Sequence, residues 1–151
     1  MSLQGFSLTV IALLAGGLIA LQAPINAEAA SRLGHPLTAA TMSFMVGTSA
    51  LIILVLLFAR HHVQLEAFKS LPLYMLIGGG LLGAGYVTVN IVLAPRIGVA
   101  ALMALGIAGQ LFAALVIDRL GLFSLAERGL TSGRVGGALL VLVGALMVRS
   151  L

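Results

Sequence analysis

Five long apolar segments follow one another along the chain. A helix needs about 20 mostly apolar residues to cross a hydrocarbon core of roughly 30 Å. Each segment is bounded by a charge, a proline or a glycine, which are ordinary helix-end signals. The pattern predicts an all-α membrane protein, with five transmembrane helices in a single transmembrane domain. The predicted spans are residues 3–27, 37–59, 71–94, 97–117 and 131–149.

The first and the fifth segments need a separate argument. A cleavable signal peptide begins with basic residues, whereas the stretch from Met1 to Phe6 carries none, so we interpret the first segment as a spanning helix. The fifth segment is short because Arg134 and Arg149 bound it closely. Both arginine side chains must therefore extend toward the interfaces.

The composition agrees with a bilayer protein and argues against a soluble enzyme. The chain is 61% hydrophobic and 8% charged, whereas soluble domains are about 25% charged. It has no Cys, which excludes disulfides, thiolate zinc sites and iron–sulfur clusters. No catalytic motif is present, and His61-His62 has no third ligand nearby. We expect no enzymatic activity, no cofactor and no metal.

An odd number of spans places the two termini on opposite sides of the membrane. The basic residues lie between the spans, so we interpret them as topology signals and expect no nucleic-acid partner. They favour a cytoplasmic N-terminus only weakly, and so small a bias also permits insertion in both orientations. The N-terminal face carries Arg60, Lys69, Arg119, Arg128 and Arg134, and the opposite face carries Arg32, Arg96 and Arg149.

Polar side chains inside the spans mark candidate binding positions, because a polar group in hydrocarbon needs an internal partner or a function. Gln22 and Asn26 share one face of the first helix, with Pro24 between them. A tyrosine and an asparagine follow a glycine stripe in the third span, and a glutamine lies near the middle of the fourth. Each could instead join helices by hydrogen bonds. The substrate-binding candidates are Gln22, Asn26, Tyr86, Asn90 and Gln110.

Two carboxylates at span ends are candidates for proton coupling, and both also have a structural interpretation. Glu28 could pair with Arg32 one turn later, or it could titrate at the mouth of a polar cavity. Asp118, beside Arg119, could anchor the end of the fourth helix or carry a proton.

Small residues predict where helices pack closely. Gly133, Gly137 and Gly144 recur on one side of the fifth span, so we interpret this side as a packing or dimer face. In the second span, Thr41 and Thr48 can hydrogen-bond to their own backbone and need no function.

Seven sequence segments carry a resemblance to a known family. They are Leu21–Asn26, Leu33-Gly34, Ser43–Thr48, Gly79–Val87, Gly109-Gln110, Ile117–Phe123 and Arg134–Gly137. Together they resemble the short, five-helix YdcZ-like branch of the drug/metabolite transporter superfamily. The resemblance implies that one chain is half of an assembly, in which two five-helix units of inverted topology enclose a central site. It also implies that Gln22, Asn26, Gln110 and Asp118 occupy polar positions of the branch, whereas it requires no acid at Glu28.

We therefore expect a secondary carrier in the bacterial inner membrane that moves a small metabolite or an organic cation by alternating access, coupled to protons. Its expected partners are membrane lipid, the solute, and a second half supplied by an antiparallel homodimer or by a related chain. The alternative is a non-transporting scaffold or accessory subunit, whose polar residues only join helices. A channel is disfavoured, since the sequence shows no ring of charge and no filter-like segment.

Overall fold

The computed structural model describes residues 3–150, and in that range it is helical with no strand. Five of the helices are long and apolar enough to cross a membrane, which confirms the predicted fold class. A π-helical turn, Val55–Ala59, continues the second helix. The helices are α1 Leu3–Leu33, α2 Pro36–Leu54, α3 Leu65–Ser70, α4 Leu73–Ile97, α5 Val99–Leu120 and α6 Ser132–Ser150.

Three helices run well past the C-terminal ends that the sequence predicted. α1 continues through Pro24 and beyond residue 27 to Leu33, α4 continues through Pro95 to Ile97, and α5 continues beyond residue 117 to Leu120. At 1.5 Å per residue the 31 residues of α1 extend over about 46 Å, more than the thickness of a hydrocarbon core. α1 must therefore tilt or project from the bilayer.

The junctions between α1 and α2 and between α4 and α5 are tight because a glycine occupies each. Gly34 and Gly98 both have a φ of +79°, a left-handed backbone that residues with a Cβ rarely adopt. Nδ1 of His35 accepts a hydrogen bond from the Leu37 N–H at 3.1 Å and so caps α2. Each junction ends one helix and begins the next within a very few residues.

The chain divides into two compact units, the first ending at Pro95 and the second beginning at Arg96. In the first unit α1, α2 and α4 bury residues at one end only, which we call the packed end. Towards the other end no residue of α1 from 5 to 22, of α2 from 41 to 54 or of α4 from 73 to 86 is buried. The buried apolar residues of the packed end are Ala23, Ala30, Ala39, Ala40, Val87, Ile91 and Ala94.

The second unit is a hairpin of α5 and α6, which pack against each other. Buried residues recur along both helices, including Ala108, Leu115, Ala138 and Ala145. Three of these four are alanines, and small side chains let two helices approach closely.

Candidate solute-binding site

Two asparagines are the buried polar residues among those described. Asn26 on α1 is 5% exposed and Asn90 on α4 is 7% exposed, and both belong to the packed end. Nδ2 of Asn26 donates a hydrogen bond to Oγ of Ser43 on α2 at 3.3 Å. Because this bond joins α1 to α2, Asn26 holds the packed end together as well as lining it.

Asn90 differs from Asn26 in its partners. It lies among the buried residues Val87, Ile91 and Ala94 of α4, yet its side chain makes no hydrogen bond within residues 3–150. A primary amide offers two donors and an acceptor oxygen. No fully buried side-chain nitrogen or oxygen among the described residues lacks a partner, so the unpaired Asn90 amide atoms lie at the accessible surface, where they are available to a bound solute.

Gln22 and Tyr86 each precede a buried asparagine by one helical turn. Gln22 is exposed and has no hydrogen-bond partner in the described part of the chain. Tyr86 lies at the edge of the packed end and already makes an interaction within the chain. The structure therefore groups four of the five substrate-binding candidates in the first unit.

Gln110 belongs to the second unit. It lies on α5, its residue is exposed, and it takes part in an interaction of its own.

Glu28 forms an exposed ion pair two residues beyond Asn26. Its Oε1 lies 2.8 Å from a guanidinium nitrogen of Arg32, and the two side chains are 63% and 78% exposed, respectively. Exposed pairs of this kind stabilise a helix by about 0–1 kcal/mol. The pair is therefore easily broken.

Asp118 is held more firmly, in a set of contacts that we call the Asp118 clasp. The Arg134 guanidinium donates to the Asp118 carboxylate and to the Gly129 carbonyl oxygen, the latter at 3.3 Å. The Arg128 N–H donates to the Asp118 backbone carbonyl at 2.8 Å. Since the Asp118 and Arg134 side chains are only 26% and 32% exposed, the clasp ties the end of α5 to the start of α6.

Sequence reasoning missed Ser43 as the partner of Asn26 and Arg134 as the partner of Asp118. The neighbour Arg119 stood beside Asp118 in sequence, whereas the actual partner lies 16 residues further along the chain. The hairpin of α5 and α6 brings these helix ends together. The opposite charges at residues 118 and 134 were therefore the sequence feature that could have predicted the pair.

A protein-family model with the description "Putative inner membrane exporter, YdcZ" matches residues 7–147. The chain belongs to the YdcZ family. This confirms the family resemblance, the transporter class and the multi-pass location in the inner membrane. No curated protein and no solved structure gives a significant match.

Membership in the YdcZ family points to transport rather than catalysis. The glycine side of α6 is open in this YdcZ-family chain: a Cβ built on Gly133, Gly137 or Gly144 would meet no atom within 4 Å. The predicted packing face is thus uncovered in the single chain, and its role in a dimer stays a prediction.

Proposed function

We propose that the protein is one half of an export carrier that works by alternating access. The family supplies the transporter class, and the odd number of spans supports the two-half arrangement, because a second copy inserted the other way would supply the inverted repeat common in secondary carriers. The uncovered glycine side of α6 offers a surface for that second half.

The amide of Asn90 is the observation that carries the proposal. It makes no hydrogen bond within residues 3–150, and no fully buried side-chain nitrogen or oxygen described there lacks a partner, so the amide atoms lie at the accessible edge of the packed end, where a solute can reach them. Asn26 supplies a second amide in the same packed end. Because the buried residues described there carry no formal charge, the solute is a small polar metabolite or a monovalent organic cation.

Glu28 is the better of the two candidates for proton coupling. It lies close in sequence to Asn26, and its exposed pair with Arg32 is weak enough to open when a proton binds. Asp118 instead has a structural role in the clasp, because its carboxylate forms a salt bridge with Arg134.

The proposal is tested with inside-out membrane vesicles incubated in a metabolite extract, followed by mass spectrometry of the vesicle contents. We expect solutes that accumulate with the wild-type chain, disappear with Asn90→Leu, and disappear when a protonophore collapses the proton gradient. Thr9→Val is the matched control, because Thr9 lies outside the packed end and bonds only to the Gly5 carbonyl. Intact, assembled protein with no accumulated solute would support the scaffold alternative.

The two-half arrangement has its own test, since the chain has no native Cys. Ser2→Cys and Ser150→Cys are labelled separately with a membrane-impermeant maleimide in intact cells. Labelling of both positions indicates dual insertion and an antiparallel homodimer. Labelling at one terminus only would exclude the antiparallel homodimer and require a related partner chain.

A further inference from the structure

A groove lies between α2 and α4 in the first unit, next to the packed end, whose residue Ala40 forms part of its lining. Its volume is about 560 Å³, which lies in the range of small-molecule pockets. Phe44 of α2 forms the floor of the groove, and its ring packs against Gly83 of α4. The contact is close, since a Cβ built on Gly83 would lie only 3.4 Å from the tip of the Phe44 ring. The groove is open on its outer side, where Met45 and Leu37 are exposed.

The hydroxyl groups along the groove fall into two kinds. Ser49 and Thr88 each donate to the backbone carbonyl four residues earlier, at 2.9 and 2.8 Å, as hydroxyls in spanning helices commonly do. Thr41 and Thr48 also line the groove, but neither hydroxyl makes a hydrogen bond within residues 3–150. The sequence permits these two threonines to bond to their own backbone, but the structure shows no such bond for either.

The spacing of Thr41 and Thr48 places both residues along one side of the groove. Residues seven apart lie on the same helix face, about 10 Å from each other along the axis. Phe44 and Met45 lie between them in sequence and supply apolar surface. The groove therefore presents a polar point at each end of an apolar wall.

The charge of the groove restricts the ligand further. None of the residues that line it is ionisable, so it offers a cation no carboxylate and an anion no base. Desolvating an unpaired ion in such a place is costly, whereas an uncharged molecule pays no such cost.

We propose that this groove binds an uncharged amphiphile that enters from the lipid, with its apolar body against Phe44 and Met45 and its hydrogen-bonding groups at Thr41 and Thr48. The site is separate from the Asn26 and Asn90 amides and needs no transport activity. Either proposal can therefore fail without the other.

The test uses two photoreactive probes that share one skeleton and differ in charge. They are 4-(hydroxymethyl)benzophenone, which is neutral, and its trimethylammonium analogue, which is a cation. Each is irradiated with the full chain in proteoliposomes, and the adducts are located by peptide mass spectrometry. We expect saturable labelling at Met45 by the neutral probe and at least about tenfold less by the cation, because the cation must lose water in a groove that offers it no carboxylate.

Threonine variants separate the proposed hydrogen bonds from general hydrophobic partitioning. Thr41→Val and Thr48→Val keep the side-chain shape, and each should lower labelling about fivefold at low probe concentration. Thr9→Val serves as the control, since its hydroxyl lies on α1 and is already bonded. Labelling spread evenly along the spanning helices, equal labelling by both probes, or no response to the Thr41 and Thr48 variants would each overturn the proposal.

Discussion

The packed end of the first unit and the Asp118 clasp of the second use polar groups in opposite ways. At the packed end the polar groups are neutral amides, and one of them, Asn90, has no partner within the described residues. In the clasp the groups are charged, and Asp118 and Arg134 satisfy each other. The difference indicates that the charged pair holds the ends of two helices together, whereas the neutral amides can still form hydrogen bonds with a ligand.

Breaking the clasp should have the largest effect on stability. Arg134→Gln leaves the half-buried Asp118 carboxylate without its cationic partner, so we expect a loss of about 2 kcal/mol, because an unsatisfied polar group costs about 1–3 kcal/mol. The measurement is thermal unfolding in detergent, followed by circular dichroism.

The double variant Asp118→Asn with Arg134→Gln sharpens this prediction. Two neutral amides at these positions leave no unpaired charge, so the double variant should recover part of the loss. Equal melting temperatures for the wild type and Arg134→Gln would show that the clasp contributes nothing.

The loop that the clasp closes depends on one glycine. Gly121 has a φ of +58°, and a Cβ there would lie 2.7 Å from Cγ of Glu127. We expect Gly121→Ala to destabilise the hairpin by about 1–2 kcal/mol from backbone strain and to increase protease cleavage between α5 and α6. Gly129→Ala is the control, because a Cβ there meets no atom within 4 Å. Equal cleavage of the two variants would contradict the prediction.

Asn90 should behave in the opposite way to Arg134. Asn90→Leu replaces an amide that makes no hydrogen bond within residues 3–150 by an apolar side chain of similar size, so we expect stability to stay the same or to rise by up to about 1 kcal/mol. Solute accumulation in vesicles should be lost in the same variant. A large fall in melting temperature would show instead that Asn90 is a structural residue.

Glu28→Gln should have the smallest effect on stability. Its partner Arg32 is largely exposed, so we expect a change below about 0.5 kcal/mol. Solute accumulation should nevertheless stop responding to a proton gradient. Unchanged coupling would remove Glu28 from the proposed mechanism.

The number of helices and several turns could be predicted from sequence because each depends on neighbouring residues. Apolar segment length predicts a span, and Gly34 and Gly98 mark breaks between helices with a backbone conformation that only a residue without a side chain adopts easily. Helix ends were less certain. Pro24 and Pro95 looked like interruptions, but neither ended its helix.

The partners of the polar residues were decided by tertiary structure. Sequence showed that Gln22, Asn26 and Asn90 are unusual in a span, but not that two of them are buried and one is exposed. That outcome depends on how α1, α2 and α4 approach at the packed end.

The sequence by itself determined that this protein lies in a membrane, how many helices span it and to which family the chain belongs. These features depend on the length of apolar segments and on local motifs, neither of which needs a long-range contact. Only the tertiary structure decided which amides are buried, which charges pair, and where a groove remains. Those features depend on distances between helices, which result from packing over the whole unit rather than from any single segment.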